Sequence, residues 1–246
     1  MPPTALTSAA EVLVATAHDP FARLSLRRPL VRGWIGPGAA AWVGTDAFED
    51  VPYLSALGDP AAVGALVGDL VPELAHRQRV TLPRGSGAHL PAWVGLDGTH
   101  WDFRWLDAPP DEQPGEDAVG PVADDAVADL LRRASPTASS LPGDAKVRRW
   151  VGVERDGRLV ACAADTSAVD RIGHLSSIAV DPALRGQGLG AAVTAALTRT
   201  LFGEGCELVA LGMYADNAAG RALYDALGFH DDHRFTSGPL QVRSRW

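Results

Sequence analysis

The segment Arg185-Gly186-Gln187-Gly188-Leu189-Gly190 constrains this chain more than any other, because it stands between two stretches of different periodicity. His174 to Val180 reads as a β-strand, and an amphipathic helix begins near Gly188. A strand that turns into a helix through glycines points to an α/β fold. Gly188 and Gly190 lack a Cβ, so their backbone can approach a ligand closely. The first N–H groups of the new helix are unsatisfied and carry the positive end of its dipole, which suits a phosphate. Arg185 and Gln187 add a cation and a polar side chain at the rim. Gly186, Gly188 and Ala191 also satisfy Gly-x-Gly-x-x-Ala, the dinucleotide pattern. That reading fails on spacing, since Asp181 to Arg185 separate the strand from the first glycine. Glu204 and Glu207 also fall before the next strand, whereas a ribose-binding acid belongs after it.

The flanks extend the pattern. Leu189, Val193, Leu197 and Leu201 recur every four residues beside Ala192 and Ala196, an apolar stripe suited to packing on a sheet. Gly203 and Gly205 stop that helix. Leu208 to Tyr214 reads as a buried strand, and Asp216-Asn217 as a turn able to cap a second helix through Leu227, with Gly228 at its end. Upstream, apolar spacing predicts a helix over Val122 to Ala134. Arg149 to Glu154 and Leu159 to Ala163 predict two strands joined through Asp156-Gly157, a hairpin signal.

Arg-x-x-Gly-x-Gly at 185–190, preceded by Leu-Ser-Ser-Ile-Ala-Val-Asp-Pro, resembles the acyl-CoA pyrophosphate loop of the GNAT N-acetyltransferase superfamily. The phrase from Asn217 to Phe229, Asn-Ala-Ala-Gly-Arg-Ala-Leu-Tyr-Asp-Ala-Leu-Gly-Phe, resembles that family's second signature. The glycine-acyltransferase-like branch is one part of the superfamily the chain somewhat resembles. The resemblance implies an α/β GNAT fold, with a mixed, centrally splayed sheet flanked by helices, over residues 119–246. It implies acetyl-CoA as acyl donor and a primary amine of a small molecule or peptide as acceptor, with the amine attacking the thioester directly. Ile178, Ala179 and Val180 would then offer backbone groups, together with Ser177, to the acetyl carbonyl and pantetheine. Arg185, Gly186, Gln187, Gly188, Leu189, Gly190 and Ala191 would hold the pyrophosphate. Asn217 would bond the pantetheine arm or fix the following helix, and Tyr224 would protonate the departing sulfur. For the general base, Glu154, Asp165, His174 and Asp231 all stand on strands or their ends. His174 is preferred, because its ordinary pKa lies near neutrality and it precedes the carbonyl-binding strand. The alternative reading is an acyl-CoA-binding regulatory module without turnover.

Residues 107–118 are acidic and proline-rich and read as a linker or long loop, leaving residues 1–106 as a smaller N-terminal α/β domain. Within it, Val31 to Val43 reads as β-structure and Ala61 to Ala75 as a helix. Val94 to Leu106 carries Trp101, Phe103 and Trp105 in the alternation of a half-buried strand. One reading makes this part a degenerate relative of the C-terminal fold that covers or completes the acceptor site. Arg84-Gly85-Ser86-Gly87-Ala88-His89 imitates the phosphate loop, but Pro91 follows and no amphipathic helix ensues, so it reads as a turn. His76, His89 and His100 are isolated, and Trp34, Trp42, Trp101 and Trp105 read chiefly as core.

Composition closes off several classes. A net charge of −8 disfavours a nucleic-acid role, because neutralising phosphates needs a basic face. No apolar run reaches the length of roughly 18 residues that spans a bilayer, and the first residues do not form a signal peptide. A soluble, cytoplasmic protein is therefore expected, as a monomer or homodimer, without membrane partner. Cys162 and Cys206 are expected to be free, buried thiols, and no cysteine or histidine spacing suggests a metal site.

Overall fold

The computed structural model describes residues 2–26, 29–45, 52–74, 78–168 and 171–242, so His76 lies outside the described residues. The chain forms two compact units. One comprises Met1–Phe103, Tyr214–Asp216 and His233–Trp246, the other Arg104–Met213 and Asn217–Asp232. Neither unit is continuous in sequence.

In the first unit, β1 (Thr4–Leu6), α1 (Ala9–Ala15) and α2 (Pro20–Ser25) precede a meander of β2 (Leu30–Gly36), β3 (Ala39–Thr45) and β4 (Pro52–Gly58). Val31 to Val43, read from sequence as one β-run, is a hairpin closed at Pro37-Gly38, where Gly38 has φ 73°. Helix α3 (Pro60–Leu70) starts on Asp59, whose carboxylate accepts from the Ala61 and Ala62 N–H groups. It is the crossover that makes β5 (Arg79–Pro83) parallel to β4. Val63, Leu66, Val67 and Leu70 bury one face of α3 against Leu54, Val80 and Leu82 of the sheet. The short strand β6 (Val94–Leu96) follows, and then β7 (Thr99–Leu106), whose residues from Arg104 on belong to the second unit.

Strand β7 is not half-buried as its aromatic alternation predicts. Phe103 is buried, but so are Asp102 and Arg104 on the alternate face, both at 0% exposure. The charges are tolerated because they are paired. Asp102 accepts from Arg84 at 2.5 Å, and Arg104 donates to Asp225 at 2.6 Å. An aromatic cluster centred on Phe21 gathers Trp42, Trp101, Phe103 and Phe235, with the Phe21–Phe235 ring centroids 4.4 Å apart. The four expected core tryptophans divide: Trp34 and Trp42 are fully buried, Trp101 and Trp105 only partly.

The second unit opens with β8 (Gly120–Pro121) and α4 (Asp124–Ala134). This helix starts two residues later than its periodicity predicts, because the Val122 N–H donates to the Trp150 carbonyl at 3.3 Å. Asp124 and Asp125 in its first turn and Arg132 and Arg133 in its last match the helix dipole. Strands β9 (Arg149–Arg155) and β10 (Arg158–Asp165) form the expected hairpin, with Asp156 and Gly157 both at positive φ. Then come β11 (Ile172–Val180), α5 (Leu189–Gly203), β12 (Leu208–Tyr214), α6 (Ala218–Ala226) and β13 (His230–Val242). The sheet order is β8-β9-β10-β11-β12, antiparallel except for the β11–β12 pair that α5 connects. Leu189, Val193, Leu197 and Leu201 of α5 pack on one face with Leu175, Val209 and Leu211. Val127, Leu130 and Leu131 of α4 pack on the other with Trp150, Cys162 and Ala164. In the first unit β13 pairs antiparallel with β5 and β6. Among the described residues no helix is long and apolar enough to cross a membrane.

Candidate functional site

Strand β11 holds two irregularities that open its backbone. Its parallel pairing with β12 runs from Ile172–Leu208 to Leu175–Leu211 and stops there, although β11 continues to Val180. Against β10, Cys162 faces Ala179 and Ala164 faces Ser176, so β11 carries one extra residue opposite Ala163. That bulge is centred on Ser177, whose φ of 49° is unusual for a residue with a side chain. Ser177 is held there by a clasp that sequence reading missed. Its Oγ accepts from the Ser140 N–H at 2.9 Å and donates to the Ser140 carbonyl at 2.9 Å, while Ser176 Oγ donates to Ser140 Oγ at 2.8 Å. The loop between α4 and β9 is thereby fastened to the bulge. Beyond Leu175, the edge of β11 that faced β12 presents main-chain groups to any extended ligand laid along it, and Ile178, Ala179 and Val180 lie in that stretch.

The strand leads into the glycine turn. Asp181 caps the short 3-10 helix Pro182–Leu184 by accepting from the Ala183 N–H at 3.0 Å, and also accepts from Arg133 at 3.1 Å. Those two bonds hold its carboxyl below the usual carboxylate range. Gly186 and Gly188 take φ of 79° and 80°, and Gly188 is the N-cap of α5 with no side-chain cap. Arg185 to Gly188 are exposed, and the first-turn N–H groups of α5, including those of Leu189, Gly190 and Ala191, have no helical acceptor. The first turn carries no acidic residue. A Cβ on Gly190 would come within 2.8 Å of Leu223 Cδ1, the flexible end of a side chain that would have to shift. The Arg185 guanidinium is partly committed, donating to the Ala134 carbonyl at 3.1 Å and to the Val180 carbonyl at 3.4 Å. Arg155, unnoticed in the sequence, adds a cation to the rim by donating to Gln187 Oε1 at 3.0 Å.

Asn217 caps α6, its Oδ1 accepting from the Gly220 N–H at 2.9 Å. Seven residues on, the Tyr224 ring is buried against Phe229, centroids 5.6 Å apart. Burial pushes its phenol up to about 12, and the Arg104 guanidinium opposes the rise. Arg104 itself is fully enclosed, with Nη1 2.6 Å from Asp225 and Nη2 3.3 Å from Asp231.

His174 sits three residues before the bulge, half-buried, with Nδ1 2.7 Å from Thr166 Oγ1. Strand alternation puts it on the α4 face with Ser176, whereas Tyr224 belongs to the cluster on the α5 face. The structure therefore places the two on opposite sides of the sheet. Asp165 is fully buried in ion pairs with Arg148 and Arg149, which leaves it poorly suited to proton transfer. Glu154 is exposed on β9, and Asp231 belongs to the Arg104 cluster. The imitation phosphate loop is a four-residue 3-10 helix, Ser86–His89, beside an Arg84 already bound to Asp102. Among the described residues no group of three or more His, Cys, Asp or Glu side chains could hold a metal ion.

Comparison with known proteins agrees with this geometry. Curated relatives are the mycothiol acetyltransferases of Kocuria rhizophila, 45% identical over 62 residues, and Streptomyces coelicolor, 38% identical over 77 residues. These stretches cover 25% and 31% of this chain but only 20% and 25% of those relatives, so the chain spans a quarter of their length or less. The fold is shared with a GNAT-family protein of Novosphingobium aromaticivorans, at TM-score 0.54 and 19% identity over 94% of this chain and 97% of the other. A GCN5-related N-acetyltransferase of Kribbella flavida gives TM-score 0.54 at 20% identity, covering 93% and 94%. The model of the acetyltransferase (GNAT) family matches residues 105–229, half of the chain, including the bulged strand, the glycine turn and the Asn217–Phe229 segment. The chain belongs to the GNAT acetyltransferase family.

Proposed function

We propose that this chain transfers an acetyl group from acetyl-CoA to a primary amine of a small molecule or peptide. The observation that carries the reading is the continuity of an opened strand edge with an uncapped helix N-terminus. β11 beyond Leu175 offers main-chain groups to a pantetheine arm, and the 185–191 turn, one short helix away, offers N–H groups to a pyrophosphate. Ile178, Ala179 and Val180 would align the thioester, and Arg185, Gly186, Gln187, Gly188, Leu189, Gly190 and Ala191 would hold the diphosphate. Asn217 acts by fixing the start of α6.

In this reading the amine nitrogen attacks the thioester carbon, and backbone N–H groups near the bulge stabilise the oxyanion. As the C–S bond breaks, the thiolate takes the proton of Tyr224, and His174 or water takes the proton of the ammonium. Because Tyr224 and His174 lie on opposite faces of the sheet, a proton would reach His174 only through water. The curated relatives are mycothiol acetyltransferases by name. Matches that cover a quarter or less of those proteins support the donor chemistry and not the acceptor. The two free cysteines, Cys162 and Cys206, fit a reducing compartment such as the cytoplasm.

The test is acetyl-CoA with a panel of primary amines, followed by release of free thiol. Amine-dependent thiol release is expected. Saturable CoA binding with no release from any amine would favour an acyl-CoA-binding regulatory module, and absence of CoA binding would overturn both readings.

A further inference from the structure

Arg104 stands out in the second unit because nothing in the assignments above uses it. Its side chain has no exposed surface, and burying a guanidinium is costly unless its partners compensate. Compensation here is incomplete. Nη1 donates to Asp225 at 2.6 Å, Nη2 lies 3.3 Å from Asp231 without hydrogen-bond alignment, and Nε is buried with no acceptor among the described residues. An apolar side chain would fill the same space without that cost, so the charge and the fork call for another explanation.

The partners locate it. Asp225 is the residue after Tyr224 on α6, Asp231 is the second residue of β13, and Leu106, two residues along β7 from Arg104, packs in the same cluster as Tyr224. Arg104 thus ties together the helix that carries Tyr224 and the strand that follows it. We propose that Arg104 is a positioning residue for Tyr224, holding the α6 turn in place and setting a positive charge beside the phenol; this rests on the reading of Tyr224 as the acid. The charged groups on the elements packed about Tyr224 are Arg104 from β7, Asp225 and Arg221 from α6, and Asp231 from β13, joined to one another by ion pairs. The other side chains of the cluster, among them Leu189, Val193, Leu227 and Phe229, are apolar. Burial alone makes the phenol a reluctant donor, and the guanidinium offsets part of that effect.

A double-mutant cycle tests this. Arg104→Lys keeps a charge but loses the fork, and Arg104→Met loses both. In the otherwise native enzyme kcat should fall roughly tenfold for Lys and further for Met, with the KM for acetyl-CoA changed less than about twofold. In the Tyr224→Phe background the same substitutions should change kcat less than about twofold. Equal losses in both backgrounds would overturn the proposal, because Arg104 would then act independently of the phenol. A wild-type rate for Tyr224→Phe would remove the acid reading, and the judgement would pass to a measurement that needs no turnover. The chain has three tyrosines, so the Tyr53→Phe, Tyr214→Phe protein reports on Tyr224 alone in an ultraviolet phenolate titration. Asp225→Asn, at a site 54% exposed, leaves the guanidinium less neutralised and should move the midpoint down. Adding Arg104→Lys or Arg104→Met should reverse that movement at least in part. A midpoint unmoved by Asp225→Asn refutes the proposal, whether or not Arg104→Met folds.

Discussion

Gly188 offers the sharpest test of the phosphate turn, because backbone strain and lost contacts can be separated there. Its φ is 80°, and a Cβ built on it meets no heavy atom within 4 Å. Substitution therefore causes no clash, and the cost is the left-handed backbone alone, about 1–2 kcal/mol for a residue with a Cβ. For a chain of this size each kcal/mol moves Tm by about 2–4 °C, so Gly188→Ala should lower Tm by roughly 2–8 °C. Gly188→Asn should recover much of the loss, since asparagine tolerates this region, and Gly188→Val should be worst because its branched Cβ does not. If the valine variant relieves strain by turning the first α5 N–H groups away, CoA loses at least one hydrogen bond to a charged group. Such a bond is worth about 1.5–3 kcal/mol, which corresponds to roughly a ten- to hundredfold rise in Kd. Thermal unfolding and calorimetric titration with CoA on the three variants supply both readouts. A folded Gly188→Val protein with native Tm and unchanged CoA affinity would sink both the strain argument and the placement of the pyrophosphate.

Tyr224→Phe keeps the ring and removes the donor, so kcat should drop by roughly 10²–10⁴-fold with little change in CoA affinity; a wild-type rate where chemistry limits would exclude the phenol. Acid should weaken the fold in a defined way. The Asp181 carboxyl is held below 3.8 by the Ala183 N–H and Arg133, and the Glu204 carboxyl below 4.5 by Arg149. Depressed carboxylates stabilise above their unfolded values, and that contribution disappears as pH falls through the folded ones. Asp181→Asn should accordingly flatten the decline of Tm below about pH 4, and an unchanged slope would show that this carboxylate does not contribute. Burial pushes the Cys162 thiol up to about 12, so a thiol reagent at neutral pH should modify at most Cys206 in the native protein and both cysteines after unfolding. CoA should saturate at one molecule per chain, because Arg84 beside the imitation loop is already bound to Asp102; a stoichiometry of two would refute this.

The second unit was legible because its elements obey single periodicities. Leu189, Val193, Leu197 and Leu201 do face the sheet, and Leu208 to Tyr214 is a strand at both predicted ends. The bulge was not legible, since Ser176-Ser177 is a common dipeptide and only the register with Cys162 and Ala164 exposes the extra residue. Arg104 was hidden for a related reason. Alternation assigned Trp101, Phe103 and Trp105 to the buried face, which left Asp102 and Arg104 as solvated charges. Their burial depends on Arg84, Asp225 and Asp231, all distant in sequence. In the first unit α1, α2, β4 and β5 passed unnoticed, because segments of five to seven residues carry too little pattern to register.

The division of β13 bears on how the protein is made. Residues from His233 pair with β5 and β6 in the first unit, while His230 to Asp232 belong to the second. During synthesis β5 therefore lacks its antiparallel neighbour until nearly the whole chain described here has left the ribosome. An unpaired strand edge invites wrong partners. The sheet of the first unit is consequently completed only after most of the second has been translated, and the open edge of β5 stays exposed to wrong partners for that time.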